Sequence, residues 1–438
     1  MKNVLIISYF APPLNLPPAI RIGKFAKYLP QFGWNPIILT VKDIDFYQTN
    51  LSLFPDFENM KIVRTKCFDY FHIIQTINKF RKKEDTISQI IFKNKENKII
   101  KFIQNMFPID DKIGWMPFCY SKAKEIIKIN KIDVIFTTLG GVYHSAITSY
   151  LLAKRFDIPL IIEFRDLWVD YPLDEAIFFN KILNSFFEKK ITKFSSKIIT
   201  LAPGARQFLN AKYNLNDNKI EVITNGFDEE DFKKDIPFLK KEENTLVFTF
   251  CGTFFTKLSP LDLFNSLQKS NVQNIKIKIR FIGNFRQNFW ELKERFAKQL
   301  SQNILIQVIP RMEYKQLVNE LHKSDILMLF VQDKNMFHAK IFDYLAAKKT
   351  ILAFCPKESD TENLIKTGNL GFTIENGDIE QGRRTIEKII KLFKEKKLDK
   401  IHRNDRFINQ FTRQNLSEKF AQILDSVTDN AQFNRKNN

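Results

Sequence analysis

Glycine is scarce in this chain, with 13 in 438 residues, where roughly 7% is usual for soluble proteins. The few that remain are therefore worth reading singly. The four cysteines, Cys67, Cys119, Cys251 and Cys355, are widely separated, with no CxxC pair and no Cys/His cluster at metal spacing, which excludes a disulfide framework and a zinc site and leaves reduced core thiols. No apolar run reaches the roughly 18 residues that a membrane span needs, and the opening MKNVLIISYFAPP is too short in its apolar part for a signal peptide. A soluble or peripheral protein of the cytoplasm is expected. There is no solenoid-scale repeat, no catalytic triad and no pair of carboxylates at hydrolytic spacing, and no helix-turn-helix, zinc or stacking motif to mark a nucleic-acid partner.

What the chain has in excess is positive charge. Lys plus Arg number 68 against 49 Asp plus Glu, a formal +19, which attracts anionic matter: phosphate ligands, anionic lipid or nucleic acid. Part of that excess also fits a coding bias toward Lys, Ile, Asn and Phe. Hydrophobic residues make up 44% of the chain, enough for packed cores, and the length favours two domains over one.

Short apolar runs alternate with helical patterns along the whole chain. NVLIIS, NPIILT, IDVIFTT, IPLIIEF, SKIITLA and KIEVITNG form a first series of buried parallel strands. TLVFTFCG, KIKIRFIG, ILIQVIP, DILMLFV, TILAFC and GFTIE form a second. Each series predicts a doubly wound sheet. The expected domains are 1–228 and 229–407, with a helix at about 408–427 and a disordered polar tail over 428–438. Gly226, Gly252 and Gly283 close strands of these series, at points where the backbone must approach something closely. Residues 74–106 mix Ile and Phe with many lysines, which fits either a basic amphipathic helix on an anionic membrane surface or a solvated helical insertion.

Segments in order through nearly the whole chain resemble the family-four type of GT-B glycosyltransferase: ISYFAPPLNLPPAIRIGKFAKYLPQFGWNPIILT, IDDKIGWMPF, IPLIIEFRDLW, SSKIITLAPGARQFL, KIEVITNGFDEEDF, FCGTFFTKLSP, AKIFDYLAAKKTILAF and FTRQNLSEKFAQIL. The resemblance implies an α/β fold of two tandem Rossmann-like domains facing across a cleft, the last helix crossing back to the N-terminal domain. It also implies a retaining transfer of a sugar from a UDP- or GDP-linked donor to a glycan or lipid-linked acceptor, in surface polysaccharide synthesis, with no cofactor and no metal. Asp43-Ile44-Asp45 imitates the metal-binding D-x-D of the other glycosyltransferase fold, but it follows the second strand of a tandem Rossmann chain.

For the donor, the residues to watch are Gly252, Thr253 and Lys257, since Cys251-Gly252-Thr253 ends a strand and Ser259-Pro260 has the cap-then-proline form of a helix start. In resembling enzymes a basic residue at the Lys257 position touches the donor phosphates, and backbone atoms around Ile309 to Arg311 hold the base. Lys340 and Asp343 lie one turn apart on a predicted helix, a cation for a diphosphate and a carboxylate for ribose hydroxyls; an exposed ion pair is the plainer alternative. The family places Glu where Asp343 stands and often a second acid where this chain has Asn335. For the acceptor, Asp166 in E-F-R-D-x-W and His144 after Gly140-Gly141 are the candidates for contact or proton transfer. Arg165 is a candidate partner of Glu163 or Asp166, and Trp168 fits core and sugar platform alike. The readings that compete with the transferase are a GT-B scaffold without turnover and a nucleotide-sugar epimerase.

Overall fold

The computed structural model describes residues 1–42, 57, 60–68, 108–170, 178–232, 244–254, 259–398, 401 and 403–437. The chain divides into two compact units, one of Met1–Leu201, Ala205–Ile223 and Leu416–Asn438, the other of Ala202–Gly204 and Thr224–Asn415.

The first unit is built on seven parallel strands in the order β3-β2-β1-β4-β5-β6-β7, with β1 at Lys2–Ile7, β2 at Trp34–Val41, β3 at Lys61–Thr65, β4 at Val134–Leu139, β5 at Leu160–Phe164, β6 at Lys197–Thr200 and β7 at Ile220–Val222. Alternate side chains of a strand point to opposite faces, and both faces here are covered. Leu5 and Ile7 pack with Ile37, Leu39, Ile135 and Trp115 on one side. Val4 and Ile6 pack on the other with Ile22 and Phe25 of the helix Pro17–Tyr28 and with Leu416, Phe420 and Leu424 of the last helix. This double burial is why the strands are read as unbroken apolar runs.

The last helix, Arg413–Asn437, corrects the expectation of a disordered tail from Thr428. Leu416, Phe420, Leu424 and Val427 recur at helical spacing and are buried on the sheet, so the helix is carried past 428 by its own apolar stripe. Lys2 Nζ also donates to Asp425 Oδ1 and to Thr428 Oγ1, each at 3.0 Å.

The second unit repeats the plan with six parallel strands in the order β10-β9-β8-β11-β12-β13: β8 at Thr245–Cys251, β9 at Lys276–Ile282, β10 at Ile304–Ile309, β11 at Ile326–Phe330, β12 at Thr350–Cys355 and β13 at Gly371–Glu375. One face is phenylalanine-rich, with Phe248, Phe250, Phe281 and Phe330 packed against Phe254, Phe264 and Phe289. The other holds Leu327, Leu329 and Ile351 against Ile341, Phe342 and Leu345 of the helix Lys340–Ala346. Cys119, Cys251 and Cys355 are buried free thiols and Cys67 is half-buried.

Each sheet reverses its winding once. The first unit runs outward from β1 to β3 and resumes with β4 on the far side of β1; the second does the same from β8 to β10 and then β11. Crevices at the carboxyl ends of such strands are where open α/β sheets take ligands. Among the described residues, no helix is long and apolar enough to cross a membrane.

Candidate functional site

In the first unit, the loops after β1 and β4 flank the reversal. His144 opens the helix His144–Phe156 directly after the β4 loop and is fully buried. Its Nδ1 lies 2.8 Å from Asp110 Oδ1, and the same carboxylate accepts the backbone N–H of Tyr143 at 2.7 Å and of His144 at 2.8 Å. The ring is wedged edge-on against Tyr9 and Trp115. Burial alone would push the Asp110 carboxyl up, but the imidazole, its hydrogen bonds and Lys112 hold it below its ordinary value. His144 is therefore fixed at Nδ1, while its Nε2 is buried and without a hydrogen-bond partner among the described residues. A held imidazole with one idle nitrogen has the form of a proton-transfer or hydrogen-bonding group awaiting a ligand.

At the end of β5, Glu163 is fully buried and paired with Arg21, whose Nη2 donates to Oε1 at 2.7 Å, while Thr138 Oγ1 donates to Oε2 at 2.7 Å. Glu163 is thus hydrogen-bonded by Arg21 and Thr138, and of the two partners open to Arg165 the charge of Asp166 acts on it more strongly than that of Glu163. Asp166 is half-buried, and burial raises its carboxyl above the ordinary value although Arg165 opposes this. Trp168 is 1% exposed and stacks on Tyr143 with ring centroids 5.0 Å apart. That settles its two readings in favour of core.

In the second unit the reversal brings Gly252, after β8, to Lys340, after β11. A Cβ added at Gly252 would sit 2.4 Å from Lys340 Nζ, and Gly252 itself has φ +131°. Side chains rarely adopt that backbone angle, so glycine is needed for both space and conformation. The Lys340 ammonium lies 4.3 Å from the centre of the Phe250 ring, which is stacked on Phe254 at 4.5 Å. Among the described residues it has no hydrogen-bond acceptor and no ion pair, and burial lowers its pKa, against Cys251 and Asp343. Gly283 supports the loop from below, for a Cβ there would meet Gly252 O at 2.1 Å. The short helix Lys340–Ala346 is pinned by Tyr344, whose hydroxyl accepts the Cys251 N–H at 3.2 Å and donates to Met328 O at 3.1 Å.

Asp343 does not pair with Lys340. Its Oδ1 accepts from the Tyr314 hydroxyl at 2.9 Å, so the plainer alternative of an exposed Lys340–Asp343 ion pair is not what the structure holds. Burial raises its carboxyl from 3.8 to about 6, with Tyr314, Arg413 and Lys340 pulling it back and Asp231 adding to the rise. Between those two pH values the folded state holds a proton that the unfolded chain has released. Stability contributed by this group therefore falls as pH rises from about 4 to about 6 and stays low above. Asp343→Asn keeps an acceptor for Tyr314 and removes the charge. It is expected to raise the melting temperature of the second unit at about pH 7.5, at roughly 2–4 °C per kcal/mol, and to leave it unchanged near pH 4 in calorimetric scans; equal melting at both pH values would show no charge burden at Asp343.

Thr253 is half-buried beside Gly252. Ile309 ends β10, its carbonyl accepting the Gly283 N–H at 3.0 Å, and Arg311 is exposed in the turn that follows. The helix expected at Ser259-Pro260 begins at Leu261 with Pro260 as its cap residue; Ser259 Oγ accepts the Leu261 N–H at 3.2 Å. Lys257, Asp43-Ile44-Asp45 and residues 74–106 lie outside the described residues. Asp110 and Tyr314 stand in IDDKIGWMPF and VIPRMEY, but their partners His144 and Asp343 are too distant in sequence to be paired with them by spacing.

Residues 81–231 match the family model described as Glycosyltransferase Family 4. No curated protein matches the chain. Among solved structures, Anabaena Alr3699/HepE in complex with UDP is similar over 97% of this chain and 100% of its own, at 13% identity and TM-score 0.63. A glycosyltransferase from Rickettsia africae ESF-5 is similar over 97% and 98%, at 16% identity and TM-score 0.61. Sucrose-phosphate synthase from Thermosynechococcus elongatus is similar over 97% and 99%, at 12% identity and TM-score 0.66. The architecture is GT-B, and the stretch that the family model matches is family-four-like.

Proposed function

We propose that the chain is a cytoplasmic glycosyltransferase that moves a sugar, with retention of anomeric configuration, from a UDP- or GDP-linked donor to a glycan or lipid-linked acceptor in surface polysaccharide synthesis. The observation that carries this reading is the Lys340 ammonium, half-buried at the switch point of the second sheet, held against Gly252 and without a direct ion pair among the described residues, the attraction of Asp343 falling short of its desolvation. A cation kept in so unfavourable a place is suited to an anion supplied from outside, and a diphosphate brings the charge that would restore its pKa. Asp343, oriented by Tyr314, is the acceptor for ribose hydroxyls. The Anabaena relative was solved with UDP and with UDP-glucose, which makes a uridine donor the first to test.

In the proposed reaction, the bond from the anomeric carbon to the diphosphate oxygen breaks and the electron pair leaves with the phosphate. The acceptor hydroxyl adds on the same face and gives up its proton, which the leaving phosphate can take. Rate then comes from positioning and from stabilising the leaving charge, roles assigned to Lys340 and Lys257 without a divalent ion. His144, through Nε2, and Asp166 are assigned to hydroxyls of the reacting sugars. A binding module without turnover is the second reading, since Asn335 and Asp343 depart from the acids usual in the resembling family. Proton NMR of the purified protein with UDP-glucose and other nucleotide sugars separates the two: the proposal expects the donor's α-anomeric signal to give way to an α-configured product, and a β-configured product or an unchanging donor would reject it.

A further inference from the structure

The helix Phe178–Phe194 packs Leu183, Phe187 and Ile191 on the core of the first unit, as an amphipathic helix does. It also buries Asn180, Asn184 and Glu188 at 8%, 3% and 1% exposure, and it presents Ile182 and Phe186 to solvent at 55% and 56%. The inward polar groups have work to do. Glu188 accepts the Val169 N–H, Lys212 Nζ and the Tyr213 hydroxyl, and Asn184 donates to Ile109 O.

The outward face is both apolar and cationic. Phe194 and Leu151, the latter on the adjoining helix His144–Phe156, add exposures of 41% and 39%. Lys181, Lys189, Lys190 and Lys193 are all exposed on the same helix, whose sequence holds a single acid, Glu188, buried and paired with Lys212. Ile182, Phe186, Lys189 and Lys193 fall along one stripe at helical spacing. Lys190 Nζ reaches across the rings, 5.2 Å from the centre of Phe186 and 5.8 Å from that of Tyr150, so its alkyl stem lies on apolar surface while its charge stays at the rim.

From this face we infer a docking surface for an anionic lipid bilayer. Side chains such as Ile182 and Phe186 would enter the headgroup boundary and the four lysines would meet lipid phosphates. A second copy of the chain fits less well, because a twofold contact through this face would set lysines against lysines. Phe194, at the end of the helix, borders a cavity with Lys154 and Lys197, whereas Ile182 and Phe186 are exposed along the helix among ammonium groups, an interleaving that favours a layered interface over a protein ligand. The inference uses neither Lys340 nor His144 and stands apart from the proposed activity.

The test is flotation of the full chain with vesicles of phosphatidylcholine alone and of phosphatidylcholine with phosphatidylglycerol, at low and high salt. The wild type is expected to float only with the anionic vesicles and to be released by salt. Ile182→Ser with Phe186→Ser, and separately Lys189→Glu with Lys190→Glu, should each weaken binding about tenfold or more. Both variants should keep the wild-type melting temperature, since every altered side chain is solvent-exposed. No flotation by the wild type, equal flotation with neutral vesicles, or undiminished flotation of both variants would overturn the inference. So would a dimer seen by light scattering without lipid and lost in the Ile182/Phe186 variant, which would assign the face to a second copy.

Discussion

Lys340→Ala should lower donor turnover by about 10²–10³-fold, the usual loss when one preorganised charge-stabilising group is removed from a reacting site. The melting temperature should hold or rise, because the ammonium is desolvated, makes no ion pair among the described residues and is only partly offset by the charge of Asp343, so its removal relieves the fold. A structural lysine would behave in the opposite way, with lost stability and little lost rate. Lys340→Arg should fail to restore activity. The space beside Gly252 is filled to the point where one methyl carbon would come within 2.4 Å of Nζ, and a planar guanidinium cannot occupy it without moving the loop. Initial rates with a nucleotide sugar, read beside a thermal scan of each variant, check both halves of the expectation.

The second large effect is expected at Asp110. Its Oδ1 takes His144 Nδ1 while its Oδ2 takes two backbone N–H groups at the start of the helix. Both oxygens are used as acceptors, and the side chain introduced by Asp110→Asn has only one. Turned with its oxygen to the helix, the new amide would offer N–H to Nδ1 and force the proton onto Nε2; turned the other way, its NH₂ group would face two donors. Either arrangement disturbs the idle Nε2, so Asp110→Asn should reduce kcat about 10²-fold or more. His144→Ala should do as much. If the two act as one unit, the double variant will be no worse than the less active single variant, whereas additive losses would separate them and assign Asp110 to the helix alone. Stopped assays of the three variants at saturating donor decide between these outcomes.

Much of the fold is legible because both sheets are parallel and covered on both faces. Strands such as IPLIIEF and TILAFC carry an uninterrupted apolar signal when neither face meets water. β3, Lys61–Thr65, is not legible: it lies at the edge, none of its residues is buried and two of its five are cationic, so nothing in KIVRT alternates. The tail misleads for a related reason. Its polar composition is real, but the helix there is set by the buried stripe from Leu416 to Val427 upstream.

The site is legible in its single residues and not in its pairs. Lys340 and Gly252 stand out as a cation in a helix and a glycine at a strand end. That they touch follows from β8 and β11 being neighbours in the sheet, a fact of topology that no local pattern contains. The same holds for Asp110 with His144, for Tyr314 with Asp343 and for Arg21 with Glu163, each pair brought together by winding order. Trp168 shows the reverse case, a residue whose type suggests a sugar platform and whose place at the Tyr143 ring makes it core.

Calorimetric titration of the wild-type chain with UDP, and in parallel with GDP, bears most directly on the claim that the second unit holds a nucleoside diphosphate at Lys340. Saturable binding of at least one of them at a single site, weakened about tenfold or more in Lys340→Ala, is the predicted result. A folded wild-type protein that takes up neither nucleotide, or a Lys340→Ala variant that binds as well as its parent, would contradict it.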